Sequence, residues 1–187
     1  MNIVIISASV REGRKSHRVA LFFKNFISEN YPHHVDLVDL NDLQFPIFLE
    51  RLKYLKNPTD TLLQYAQKIK NADGVLIITP EYNGGYPASL KNAIDVLYDE
   101  WYKKPVGIVT VSDGSFGGTQ VITSLQFSLW KMKAWTIPAM FPVPRVDDTF
   151  DDNGLPKNKD AVLPRAESFL NELNWCMTAH EKMKSEK

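Results

Sequence analysis

Ile3-Val4-Ile5-Ile6 is an unbroken run of mostly β-branched apolar residues. With no polar residue alternating, such a run reads as a strand covered on both faces. The same character returns at Gly74 to Thr79 and at Val106 to Val111. Strands covered on both sides belong to parallel sheets, where each neighbour is reached by a long right-handed crossover, normally a helix. Helical periods fill the intervals as required. Val19, Ala20, Phe23 and Ile27 share one helical face, as do Leu62, Ala66 and Ile69, and again Leu90, Ile94 and Leu97. Val35 to Leu40 alternates apolar and polar residues, as a strand nearer a sheet edge does, and Trp135 to Phe141 supplies a fifth strand despite Pro138. A last helix is expected from about Ala161 to about Lys184, with Leu163, Ala166, Phe169, Leu170 and Leu173 inward.

These elements predict a three-layer α/β/α architecture on a five-stranded parallel sheet of order 2-1-3-4-5. The chain has 187 residues and no internal repeat, and its one linker-like stretch, Asp147 to Lys159, is too short to separate domains. Residues 1–187 are therefore expected to form a single domain. In doubly wound sheets ligands sit beyond the carboxyl ends of the strands, where the winding reverses. The loops after strands one, three and four are the ones to read for function.

Charge narrows the function classes. Lys plus Arg and Asp plus Glu both total 22, so no net field draws in nucleic acid or an anionic membrane. No apolar run approaches the roughly 20 residues needed to span a bilayer. The chain opens on a strand-like run rather than on a signal peptide, and its one cysteine, Cys176, has no intrachain partner, so cytoplasmic residence is expected.

The first loop, Ser7 to Ser16, gathers hydroxyls, cations and one glycine ahead of a helix. A helix N-terminus offers free N–H groups and a positive dipole end, and an arginine fork matches phosphate oxygens. Ser9, Arg11 and Ser16 are the candidate phosphate ligands; the alternative is an ordinary N-cap serine among solvated cations. The spaced glycines of dinucleotide and triphosphate loops are missing, so a monophosphate fits better. After the third strand comes Thr79-Pro80-Glu81-Tyr82-Asn83-Gly84-Gly85-Tyr86-Pro87. The paired glycines allow positive φ, the prolines stiffen both ends, and the tyrosines offer flat faces, which suits a planar ring. A tight strand-to-helix turn would explain the glycines alone.

The segment TPEYNGGYPASLKNAIDVL, Thr79 to Leu97, closely resembles the signature of the NADPH-dependent FMN reductase family, and SASVREGRKSHRVA, Ser7 to Ala20, resembles that family's phosphate loop. The likeness extends to Ser112-Asp113-Gly114-Ser115-Phe116-Gly117-Gly118 and to Phe150-Asp151-Asp152-Asn153-Gly154. It implies a flavodoxin-like fold and an NAD(P)H-dependent oxidoreductase that passes electrons through FMN to FMN, a quinone, an azo compound or a metal oxyanion, with NADPH or NADH as reductant. It also implies a homodimer or homotetramer. By matching position, Ser9, Arg11 and Ser16 would hold the FMN phosphate, Pro80, Glu81, Tyr82, Asn83, Gly84 and Gly85 would lie along the ring, and Ser112, Gly117 and Gly118 would flank its other side. Two positions depart from the pattern. Ala8 replaces a usual glycine and demands an ordinary φ or a slight shift of the loop, and His17 replaces a frequent asparagine but can still donate one hydrogen bond to phosphate.

Because the flavin carries the redox step, no catalytic side chain and no metal are expected, and kinetics should be ping-pong. The acidic stretch around Asp147, Asp148, Asp151 and Asp152 fails the calcium-loop pattern at both anchor positions and reads as a solvated turn. His33, His34 and His180 lack partners at metal spacing and read as surface residues, and Cys176 as a packed helix residue. Trp101, Tyr98, Tyr102 and Trp130 supply aromatic surface that a dimer contact would use. The competing function is a non-enzymatic flavodoxin-like electron carrier, against which the balanced charge argues; a third reading keeps the fold as a binding module with a vestigial flavin site.

Overall fold

The computed structural model describes residues 1–185. Five strands, β1 (Asn2–Ser7), β2 (His34–Asp39), β3 (Gly74–Pro80), β4 (Pro105–Val111) and β5 (Trp135–Val143), form one parallel sheet in the order β2-β1-β3-β4-β5. The helices are α1 (Ser16–Asn30), α2 (Leu40–Leu43), α3 (Asp60–Asn71), α4 (Ala88–Asp95), α5 (Gln120–Lys131), α6 (Val146–Thr149) and α7 (Lys159–Ser185). This is the predicted flavodoxin-like arrangement.

Strand periodicity divides the core into two halves. Val4 and Ile6 of β1, with Val75, Ile77, Val106 and Ile108, face a layer made by α3, α4 and α5. Ile3 and Ile5, with Leu76, Ile78, Val109 and Val111, face α1 and α7. Each such side chain removed from water stabilises the fold by about 1.5–3 kcal/mol. The crossover from β1 to β2 runs over one face and that into β3 over the other, so the chain diverges at the carboxyl ends of β1 and β3 and leaves a crevice there.

Several expectations need correction. Trp101 is fully buried, its indole N–H donating to Ile94 O at 3.2 Å, so it is core and contributes nothing to an exposed aromatic face. Tyr98 is half-buried beneath the Arg51 guanidinium, 4.6 Å from its ring centroid. His33 and His180 are half-buried rather than surface residues; His33 stacks on Tyr31. Within β5, Pro138 sits in a bulge where Gly107 alone faces residues 137–139, which spares the ladder its missing N–H. The segment between α2 and α3 has no periodicity and serves as a strap. Asn92 of α4 holds it from both sides, accepting from Phe48 N at 2.6 Å and donating to Pro46 O at 2.7 Å.

Lys104 is a buried cation at the start of β4, donating to Lys70 O at 3.1 Å and to Ala72 O, where α3 ends. Burial pushes its ammonium down to about 8, helped by the Lys184 charge and opposed by Asp73. Since its folded value lies below the unfolded one, the unfolded chain binds more protons at intermediate pH, and stability from this group rises with pH above 8. From pH 8 to 9.5 the wild type should gain about 1.5 kcal/mol relative to Lys104→Met, read from urea midpoints of the two proteins.

Candidate active site

Three loops meet at the carboxyl ends of β1, β3 and β4 around a cleft of about 400 Å³, walled by Ser9, Arg11, Ser16, Pro80, Tyr82 and Ser112, with Glu81 and Asp113 beside them. The sequence separations are large, and the parallel register alone brings these residues to one rim.

Helix α1 opens the floor of the cleft. Lys15 at its N-cap makes no side-chain cap bond, and its first turn holds no acidic residue. Ser16 is 3% exposed, and its hydroxyl has no partner among the described residues. A buried hydroxyl without a partner among the described residues, beside uncapped N–H groups, is a donor set that suits an anion. Arg11 is exposed at the mouth, with no ion pair among the described residues. A phosphomonoester fits this donor set.

Other candidates occupy different places. Ser9 is buried, and its hydroxyl is bonded to Tyr82 OH at 2.7 Å while accepting from Arg11 N at 3.3 Å, so it ties the first loop to the third. His17 turns Nδ1 to Ser7 Oγ at 3.0 Å and to Asp39 Oδ2 at 3.3 Å, and it does not line the cleft. Burial lowers its pKa, with the Arg14 charge adding to the effect and Asp39 opposing it. Ala8 has no positive φ, as its side chain requires, and it is held by Ala8 N donating to Ile78 O and Ser89 Oγ donating to Ala8 O.

The third loop turns on Asn83 (φ 52°) and Gly84 (φ 78°), closed by Tyr82 N to Gly85 O at 2.8 Å and Gly85 N to Tyr82 O at 3.1 Å. The left-handed pair is therefore Asn83-Gly84, the usual chemistry of a two-residue hairpin, and Gly85 needs no positive φ. In the fourth loop, Ser112 and Asp113 reach the cleft, whereas Gly117 and Gly118 are buried and do not line it, packed against Pro142 and Val111 respectively. Tyr86 OH is bonded to Ser128 Oγ of α5 at 2.8 Å, steadying the third loop from behind.

Sequence reasoning missed the polar frame. Arg14 lies 16% exposed in a bidentate pair with Asp39 and donates to Ser9 O at 2.9 Å. Lys15 reaches across to Asp113 at 3.2 Å and to Asp147, and Arg18 pairs with Asp147 at 2.9 Å and with Asp152. The acidic turn expected to be solvated is thus ion-paired to α1. The Lys15 contacts, first with Asp147 and then with Asp113, raise the lysine's pKa, and the Lys15 bond is the main cause lowering that of Asp147. No spacing rule joins Arg14 to Asp39; only the closeness of β1 and β2 does.

Fold and cleft together define a flavodoxin-like protein with an uncapped helix start at its topological switch point. Residues 1–148 match the family of NADPH-dependent FMN reductases. The chain is 35% identical over 147 residues to the NAD(P)H-dependent FMN reductase LOT6 of Saccharomyces cerevisiae, covering 71% of this chain and 75% of that one. It is 30% identical over 178 residues to a quinone reductase of Pseudomonas putida, covering 90% of each. Among solved structures, the flavoenzyme NAD(P)H:(acceptor) oxidoreductase FerB of Paracoccus denitrificans superposes with a TM-score of 0.75 at 19% identity, over 95% of this chain and 97% of that one. The chain belongs to the NADPH-dependent FMN reductase family, whose members are oxidoreductases using FMN and a nicotinamide reductant. No helix among the described residues is long and apolar enough to cross a membrane.

Proposed function

We propose that this chain is one FMN-binding reductase domain that takes reducing equivalents from NADPH or NADH and delivers them to a small acceptor such as FMN, a quinone, an azo compound or a metal oxyanion, by ping-pong kinetics. The observation that carries the reading is the buried, unpartnered Ser16 hydroxyl at the uncapped start of α1, on the floor of a cleft walled by Tyr82. Arg11, Ser16 and the α1 N–H groups would hold the FMN phosphate, with Ser9 fixing the loop. Pro80, Glu81 and Tyr82 would lie along the ring, shaped by the Asn83-Gly84 turn, and Ser112 would face it from the fourth loop. When bound, FMN supplies the hydride and electron chemistry. The protein's role is to bind and orient, and an open cleft lets reductant and acceptor enter in turn. Cys176, buried in α7 without a disulfide, suits a reducing compartment, and we place the enzyme in the cytoplasm.

The decisive measurement is anaerobic addition of NADPH or NADH to FMN-loaded protein. Rapid bleaching and parallel double-reciprocal plots are expected. A stable oxidised spectrum would identify an electron carrier, and intersecting lines would refute the ping-pong order.

The expected homodimer also finds support. Phe127 and Trp130 of α5 are 60% and 64% exposed, and Ile47 and Leu49 on the strap are 87% exposed, flanking α4 on the same layer. Lys91 and Asp95, paired on α4, are self-complementary across a two-fold axis. A second copy laid on this face should be lost in Phe127→Asp/Trp130→Glu, which should elute as a monomer at micromolar concentration. Wild type eluting as a monomer there would refute the dimer.

A further inference from the structure

Asp39 closes β2 with its side chain 10% exposed and lies outside the residues lining the cleft. Four contacts converge on it. Its Oδ1 accepts from Asn41 N at 3.0 Å and caps α2; both oxygens accept from the Arg14 guanidinium; and Oδ2 stands 3.3 Å from His17 Nδ1. A two-pronged pair fixes the plane of a guanidinium, which a single contact would leave free to rotate. The plane fixed here lets Arg14 donate to Ser9 O at 2.9 Å, and Arg14 is itself among the residues lining the cleft. Ser9 in turn bonds Tyr82 OH. The polar chain from the edge strand thus ends on the backbone of the first loop, the loop that would hold the phosphate.

We propose that Asp39 is a positioning residue for the phosphate end of the cleft, acting through Arg14 on the backbone of the first loop. The inference rests on the reading of the cleft as an FMN site. Its distinguishing consequence concerns one end of the ligand. Riboflavin has the same ring as FMN and no phosphate, so a fault confined to the phosphate end lowers affinity for FMN alone.

The test is fluorescence titration of flavin-free wild type, Asp39→Asn, Arg14→Lys and the double variant with FMN and with riboflavin. Arg14→Lys keeps the charge and removes the fork, so it decides the matter even if Asp39→Asn does not fold. Each single change should weaken FMN binding by roughly ten-fold or more. Riboflavin affinity should stay within about two-fold, and the double variant should be no worse than either single one. Asp39→Glu should recover some of the loss. Equal losses for both flavins would mean general structural support and overturn the proposal, as would FMN binding that is unchanged or tighter, the last because a freed Arg14 would then meet the phosphate itself. FMN bound tightly by all four proteins sinks this inference alone. Wild type that binds neither flavin sinks the cleft assignment and this inference with it.

Discussion

Gly154→Ala should lower stability by about 3 kcal/mol and the melting temperature by about 10 °C, although the residue does not line the cleft. Gly154 has φ 80°, and an added Cβ would stand 2.4 Å from Arg18 O and 2.8 Å from Phe22 N, both on the backbone of α1. Neither atom can move without breaking a helical turn. The turn around it is over-determined: Asp151 Oδ1 accepts from Asn153 N and Leu155 N, and Phe150 packs on Phe22 with centroids 5.0 Å apart. The left-handed backbone alone disfavours alanine by about 1–2 kcal/mol, and the clash supplies the remainder. Gly13→Ala separates the two causes, because Gly13 has φ 67° and nothing within 4 Å of its Cβ position. It should lose only about 1 kcal/mol. Urea unfolding of both variants measures the difference, and equal losses would show that contact with α1 is not the cause.

The same segment shows what a sequence can and cannot display. Asp151-Asp152-Asn153-Gly154 reads as an acidic turn, but that it packs on α1 and pairs Asp147 with Lys15 and Arg18 depends on contacts more than 120 residues apart. The central strands are legible because burial on both faces leaves an uninterrupted apolar run, and five such strands joined by helices fit the doubly wound order. Helix α4 ends at Asp95 although Leu97 continues its apolar period, since Leu97 is buried beyond the helix proper. The strap cannot be read in this way: it is tied to α4 by the Asn92 side chain and by Leu52 N donating to Val96 O, and its apolar residues follow no period.

Within the site, chemistry is legible and geometry is not. Ser16 is readable from its place before a helix. Gly117 and Gly118, by contrast, are expected beside the flavin ring, and the structure buries them within the loop that also carries Ser112, outside the lining of the cleft. Arg14 looks like one more surface cation until folding sets Asp39 beside it. A resemblance transmits which residues recur in a loop, while the fold decides which of them face the ligand and which hold the loop in shape.

Ser16→Ala should separate binding from folding, with opposite signs. The buried hydroxyl has no partner among the described residues, and an unmet buried hydroxyl costs about 1–3 kcal/mol, so its removal in flavin-free protein should leave stability unchanged or raise it. With FMN present the hydroxyl gains a charged acceptor, and a charge-assisted bond of about 1.5–3 kcal/mol makes the variant bind FMN roughly ten-fold or more weakly. Ligand-linked stabilisation then reverses the order: melting curves should place the variant at or above wild type without FMN and below it with FMN in excess. Riboflavin should stabilise both equally. A variant already destabilised without flavin would show that the hydroxyl serves the fold, and the start of α1 would lose its standing as the phosphate site.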